Sequence, residues 1–306
     1  LSTIAFIGLG IMGAPMAGHL VKAGHTVIGV NRGKEPLEKL VAAGGQRADS
    51  VAEAVREAEV IITMVPDSPD VQGIALGDEG IYANAPKGSI HIDMSSIRPD
   101  VAAELAEAGK AAGIRVMDAP VSGGEAGAVE AVLSIMVGGE QSDFEEVKPI
   151  LDAVGKTVVL VGPAGSGQTV KAANQLIVAG NFELVAEAIV FLRAYGVNTE
   201  AALAVLAGGL AGSTVMNRKG ASMLAGNFQP GFRIDLHHKD MGIVVDAARA
   251  KGVAIPVGAV TAQLIGALRA QGDGGLDHSA LLRGVERLSG TAVSGDSSTD
   301  SESETK

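Results

Sequence analysis

Phe6-Ile7-Gly8-Leu9-Gly10-Ile11-Met12-Gly13 decides the fold of this chain. Ile4 to Ile7 is a short apolar run suited to a buried strand, and Met12 to Ala23 carries helical spacing that Gly24 ends. Pro15 falls early enough in that helix to be tolerated. The glycines therefore sit between strand and helix. Gly8 permits a tight turn, Gly10 lacks the Cβ that would keep a pyrophosphate from the backbone, and Gly13 lets helix and strand pack closely. The helix N-terminus behind them favours an anion, so Gly8, Leu9, Gly10, Ile11, Met12 and Gly13 are candidate dinucleotide contacts. A glycine-rich turn that binds nothing uses the same residues, and the strand and helix around the turn are what favour the first reading.

Outward from that turn, Thr26 to Val30 reads as a second strand ending at Asn31-Arg32. A fold that selects NAD usually places a carboxylate there, where it accepts from the ribose 2′-hydroxyl and repels a 2′-phosphate. Asn31 removes that repulsion, and Arg32, with Lys34 close by, can pair with the phosphate, so NADP is favoured and NAD remains open. An ordinary solvated Arg and Lys at a helix start is the alternative. Ser50 to Glu53 has capping-box spacing, and Val60 to Val65 is an apolar strand stopped by Pro66. In an open parallel sheet, ligands collect at the carboxyl ends of the strands. Val65 and Pro66 are therefore candidate cofactor contacts, as is Ser96 after the strand Ser89 to Asp93, although plain loops fit both places.

Asp100 to Ala112 reads as a helix, Arg115 to Asp118 as a strand, and that strand runs into Ala119-Pro120-Val121-Ser122-Gly123-Gly124. Ser122 brings a hydroxyl, and Gly123 and Gly124 let successive N–H groups converge on a small carboxylate; a simple glycine turn is the alternative. Leu133 to Val137 and Thr157 to Val161 extend the sheet around a helix, Asp143 to Val154, that Pro149 is expected to break or kink. From Gly167 to Tyr195 no proline interrupts a largely apolar run, which would reach about 43 Å as one helix. Beyond it only helical patterns follow: Glu200 to Ala207, Val215 to Leu224, Lys239 to Lys251, Val257 to Ala270 and Ser279 to Leu288.

The expected fold class is α/β, an N-terminal Rossmann-like dinucleotide-binding domain followed by an all-helical C-terminal domain. The expected divisions are 1–164, then 165–289 as a substrate and oligomerisation domain joined by the long helix, then 290–306 as a disordered Ser/Asp/Glu-rich tail. The 306 residues suffice for two domains. The composition, 47% hydrophobic with 42 glycines but 3% aromatic, fits small-residue α/β packing, and a formal charge of -11 argues against a nucleic-acid partner. With no cysteine there is no disulfide and no thiolate metal site; a cytoplasmic location without membrane attachment is expected, and the missing initiator Met reads as processing or trimming. A helical half rich in small apolar residues suggests a homodimer or homotetramer.

Lys171, Asn174 and Gln175 share one helix face near the start of the long helix, which is expected to face a cleft between the domains. Partial desolvation would lower the lysine pKa and let it give a proton near neutrality, with Asn174 orienting the oxygen that receives it; a surface lysine beside solvated amides is the competing reading. In Pro230 to Asp240, Lys239 is expected to open a helix. A metal held by Asp235, His237, His238 and Asp240 is disfavoured against a solvated helix entrance, so no metal is expected. There is no GxSxG and no cysteine nucleophile to support acyl transfer.

Together the run Gly8 to Met16, the loop Asp118 to Gly124 and the segment Lys171 to Gln175 resemble the β-hydroxyacid dehydrogenases, over nearly all of the chain except the tail. The resemblance implies an NAD(P)-dependent oxidoreductase acting on a small semialdehyde or hydroxyacid. It implies Lys171 as catalytic acid/base, Ser122, Gly123 and Gly124 as the carboxylate loop, Asn174 as a substrate ligand, Ser96 and Lys239 near the nicotinamide, and Phe232 as a substrate-shaping residue. Gly208 to Thr214 and Pro230 to Asp240 look most like members that reduce tartronate semialdehyde to glycerate. Oxidation of 3-hydroxyisobutyrate or another short β-hydroxyacid is the nearest alternative, and a non-catalytic NADP-binding module a further one. Imine reductases share the architecture but usually lack the lysine.

Overall fold

The computed structural model describes residues 1–295. By their internal contacts these form two units, 1–174 and 175–295.

The first unit is built on strands β1 (Thr3–Ile7), β2 (Thr26–Val30), β3 (Gln46–Arg47), β4 (Val60–Thr63), β5 (Ile90–Asp93), β6 (Arg115–Asp118), β7 (Val121–Ser122), β8 (Leu133–Gly138) and β9 (Gly155–Gly162). Their order is β3-β2-β1-β4-β5-β6-β8-β7, with β9 beside β8. All pairs from β3 to β6 are parallel, β8 is antiparallel to β6 and β7, and β9 is parallel to β8. β1 shows why the sheet is covered on both sides. Ile4 and Phe6 enter one core with Met16, Leu20, Val60 and Ile62, while Ala5 and Ile7 enter the opposite core with Val55, Ile61 and Ile81. Each such fully buried large side chain contributes roughly 1.5–3 kcal/mol.

The strand order reverses direction between β1 and β4, and a doubly wound sheet opens its ligand crevice at such a switch point. Gly8, Asn31, Met64 to Pro66, Met94 to Ser96 and Ala119-Pro120 all follow directly on strand C-termini. Ser50 caps its helix as its spacing predicts, accepting from the Glu53 N–H at 3.1 Å. Pro149, by contrast, does not interrupt its helix, which runs from Gln141 to Asp152. Phe144, Val147, Ile150 and Leu151 hold the buried face of that helix, while Pro149 is on the exposed face, where water can serve the carbonyl it leaves unpaired.

The second unit contains only helices and one isolated bridge, Arg233 with Asp277, among the described residues. Its helices are Thr199–Ala207, Thr214–Leu224, Ile234–Lys251, Pro256–Ala270 and Leu281–Leu288, beside the larger part of Ser166–Ala194. Lys239 does not open its helix. That helix starts at Ile234, where Arg233 is pinned to Asp277 and the Ile234 N–H donates to the Leu276 carbonyl at 2.9 Å. His237 and Asp240 lie on its buried side while Arg233 and Asp235 stay exposed, so the ionisable run is divided between an inward and a solvated helix face.

Of the expected tail, residues 296–306 lie outside the described residues. The segment just before them is placed: Glu286, almost fully buried, accepts from the Ser294 N–H at 2.7 Å and pairs with Arg193 at 2.8 Å. The Ser166–Ala194 helix is the one described helix long and apolar enough, by length and composition alone, to cross a membrane. Gln168, Lys171, Gln175 and Glu183 are nonetheless buried along it, as in a core helix.

Candidate active site

The three glycines of the opening turn do different work. Gly8 has φ +102°, and a Cβ there would strike the Met64 carbonyl oxygen; a Cβ on Gly13 would strike the Gly8 carbonyl oxygen. Both are thus required by packing. Gly10 is exposed and a Cβ there would meet nothing within 4 Å, so the space above it is open to a ligand. The helix that follows, Gly13–Lys22, has no side-chain cap and no acidic residue in its first turn; its Ala14 N–H is taken by the Gly10 carbonyl at 2.9 Å and Pro15 has none, so the helix end offers an anion its Gly13 N–H. A dinucleotide pyrophosphate fits this turn. Leu9 is buried and Ile11 exposed, and Met12 is the N-cap.

The Asn31 side chain holds the turn in place. Its Oδ1 accepts the Leu9 N–H at 3.0 Å, and its Nδ2 donates to the Gly33 carbonyl at 3.1 Å. Arg32 and Lys34 are exposed beside it. At the next strand ends, the Val65 N–H donates to Ser95 Oγ at 3.0 Å, which joins the loops that carry Pro66 and Ser96.

Beneath these loops lies a buried polar chain. Thr63 Oγ1 donates to Asp93 Oδ1 at 2.7 Å, so His91 Nε2, 3.0 Å from the same oxygen, is the donor there, and Tyr82 donates to His91 Nδ1 at 3.1 Å. Burial pushes the His91 imidazole down to about 3 and lifts the Asp93 carboxyl to about 6, against the hydrogen bonds it accepts from Ser95 and Thr63.

Lys171 is buried, 8% exposed, and its Nζ donates to the Val121 carbonyl at 2.8 Å. That places an ammonium beside the residue preceding Ser122, with the exposed Gly123 (φ +138°) and Gly124 (φ +65°) following. Val121 and Ser122 form a short strand, β7, rather than pure loop, and this pairing with β8 sets where Ser122 stands. Asn174 lies one turn beyond Lys171 and is half-buried.

In the second unit, the backbone N–H groups of Gly231 and Phe232 both donate to Asp277 Oδ2, at 2.9 and 3.1 Å, and the Phe232 ring packs on His278 and His237. Against its burial, the Asp277 carboxyl is held down at about 2 by His278, with Ser279 and Lys219 adding to it. Lys239 pairs with Asp240 Oδ1 at 3.0 Å, and Asp240 Oδ2 accepts from Gln175 at 2.6 Å. No group of three or more His, Asp or Glu side chains is arranged to hold a metal among the described residues. Sequence reasoning missed Asp118, Gln168, Asp277 and the pairing role of Asp240. Asp118, Gln168 and Asp277 act on partners distant in sequence, as Asp240 does on Gln175, which local pattern does not reveal.

Comparison with known proteins identifies the family. Residues 3–162 match the family described as the NAD binding domain of 6-phosphogluconate dehydrogenase, and residues 165–285 match the NAD-binding family of NADP-dependent 3-hydroxyisobutyrate dehydrogenase. The 2-hydroxy-3-oxopropionate reductase of Escherichia coli K12 is 40% identical over 93% of this chain and 97% of its own. The NAD-dependent L-serine dehydrogenase of Pseudomonas aeruginosa is 34% identical over 91% of this chain and 96% of its own. The solved structure of Mycobacterium tuberculosis 3-hydroxyisobutyrate dehydrogenase with L-serine superposes with a TM-score of 0.85 at 33% identity, covering 93% of this chain and 99% of that one. A dinucleotide turn, a helical second unit and full-length kinship to dehydrogenases and reductases converge: the chain belongs to the 3-hydroxyisobutyrate dehydrogenase-like β-hydroxyacid dehydrogenases and is an NAD(P)-dependent oxidoreductase.

Proposed function

We propose that this enzyme reduces tartronate semialdehyde to glycerate, reversibly, with Lys171 as the general acid. The observation that carries the reading is the buried Lys171 ammonium, held 2.8 Å from the Val121 carbonyl at the mouth of the Ser122-Gly123-Gly124 loop. The reduced nicotinamide supplies the hydride when bound. Ser122 and the N–H groups of Gly123 and Gly124 bind the substrate carboxylate, which fixes the neighbouring carbonyl for attack. Lys171 delivers its proton to the carbonyl oxygen as that oxygen gains charge, and Asn174 orients the oxygen. In the oxidative direction the neutral amine takes the hydroxyl proton. Lys239 and Ser96 are assigned to the nicotinamide end, Phe232 to the shape of the substrate site, and Val65 and Pro66 to the dinucleotide wall.

The 40% identity to the 2-hydroxy-3-oxopropionate reductase supports this substrate. The similarity to 3-hydroxyisobutyrate and L-serine dehydrogenases makes those hydroxyacids the comparison in the test. Nicotinamide absorbance is followed with tartronate semialdehyde, 3-hydroxyisobutyrate and L-serine side by side, for the natural sequence and for Lys171→Ala. Tartronate semialdehyde gives the highest kcat/KM, and Lys171→Ala lowers kcat by about 10²–10⁴-fold while dinucleotide affinity holds. A preference for either hydroxyacid replaces the substrate, and unchanged turnover in Lys171→Ala removes the acid.

A further inference from the structure

The helix that carries Lys171 is fastened to the sheet by one carboxylate. Asp118, the last residue of β6, is 3% exposed, and its two oxygens accept the N–H groups of Gly165 and Gln168, each at 2.7 Å. The space for that carboxylate is kept clear by two glycines: a Cβ on Gly138 would strike Asp118 Oδ1, and one on Gly167 would stand 2.8 Å from Oδ2. One turn further on, Lys171 returns to the same stretch of chain, donating to Val121 three residues after Asp118. Gln168 references this turn to a second strand end, since its Nε2 donates to the Ser95 carbonyl at 2.7 Å and its Oε1 accepts the Ile97 N–H at 3.1 Å.

We infer that Asp118 is a positioning residue for catalysis, which sets the placement of the Lys171 ammonium by locking the first turn of the Ser166–Ala194 helix onto the end of β6. This inference rests on the proposed role of Lys171. The physical ground is that a buried carboxylate accepting two N–H groups gives short, directional, charge-assisted bonds, one to the residue that leads into the helix and the other, at Gln168, within one helical turn of the reacting side chain. Misplacement of a reacting group by about 1 Å can cost about 100-fold in rate.

The test uses the full chain with Asp118→Asn, which keeps size but offers one acceptor where two are needed, and Gly138→Ala, which displaces the carboxylate without changing charge. Turnover of tartronate semialdehyde, dinucleotide affinity, hydrogen exchange at Gly165 to Gln168, and the rate at which acetic anhydride labels Lys171 are measured. Expected are a fall in kcat of about 100-fold with dinucleotide affinity held, faster exchange, and faster labelling of Lys171 in both variants. Natural turnover and natural Lys171 labelling in a folded Asp118→Asn protein overturn the inference. Lys171→Ala separates the two ideas. If it alone leaves turnover intact, the acid assignment fails, while labelling and exchange in the Asp118 variant still decide whether that carboxylate places the amine.

Discussion

Asn31 has one role in the structure and a second that we propose for it at the cofactor, and a single substitution can pull them apart. Its Oδ1 holds the Leu9 N–H, a bond an aspartate would also accept, whereas only the amide leaves the 2′-position of a bound ribose without a facing negative charge. Asn31→Asp should therefore keep the turn intact and move the kcat/KM ratio for NADPH over NADH toward NADH by tenfold or more, about 1.4 kcal/mol, in a comparison of initial rates with each cofactor. Glu183 makes a second prediction. Burial, with the Glu187 charge adding to it, lifts its carboxyl to about 7, and its Oε2 has no hydrogen-bond partner among the described residues. Because the folded value lies above the ordinary 4.5, the folded state holds this proton to higher pH than the unfolded chain does. Stability is full below about 4.5 and is lost as pH rises through about 7. Glu183→Gln should raise stability above that range by on the order of 2 kcal/mol and change little near pH 4.5, as read by thermal unfolding at both ends.

At the level of elements, the helix Gln141–Asp152 shows where packing overrides propensity. A proline with eight helical residues before it is tolerated because its ring and the carbonyl it leaves unpaired face water, while four apolar side chains fix the opposite face. Pro149→Ala should stabilise the chain by about 1–3 kcal/mol, seen as a higher urea midpoint at unchanged slope. The same contrast explains what was legible in the sequence. β2 and β6 fall where apolar runs end at turn residues, and the glycine turn announces itself through spacing, because these signals are local. The start of the helix carrying Lys239 is not legible locally, because it is set by the bridge between Arg233 and Asp277 and by the Ile234 N–H donating to the Leu276 carbonyl, partners far along the chain. The clamp of Asp118 on Gln168 spans fifty residues, and no window of the sequence contains both partners.

For the whole molecule, the long helix presents Ile177, Leu184 and Phe191, seven residues apart, as an exposed apolar line with Tyr195 beyond it. Val257 and Val260 add exposed apolar surface on another helix of the same unit. Seven-residue spacing is the period of a helix-to-helix seam, and large side chains gathered on one exposed line mark a surface that is covered by a partner. The acidic surface expected from a charge of -11 offers no reason for that line to be apolar. We propose that a second copy of the chain covers it. Light scattering should give at least twice the chain mass of 30.8 kDa, and Leu184→Lys combined with Phe191→Lys should reduce it to the single-chain value.

The division of labour among Gly8, Gly10 and Gly13 has a further consequence for how such an enzyme can change. Two of the three are locked by their own scaffold and are closed to variation, whereas the third borders only empty space. A lineage, or an engineer, can therefore vary Gly10 without disturbing the architecture that the other two maintain, and with a dinucleotide seated as we propose that is the position at which affinity is traded for faster release.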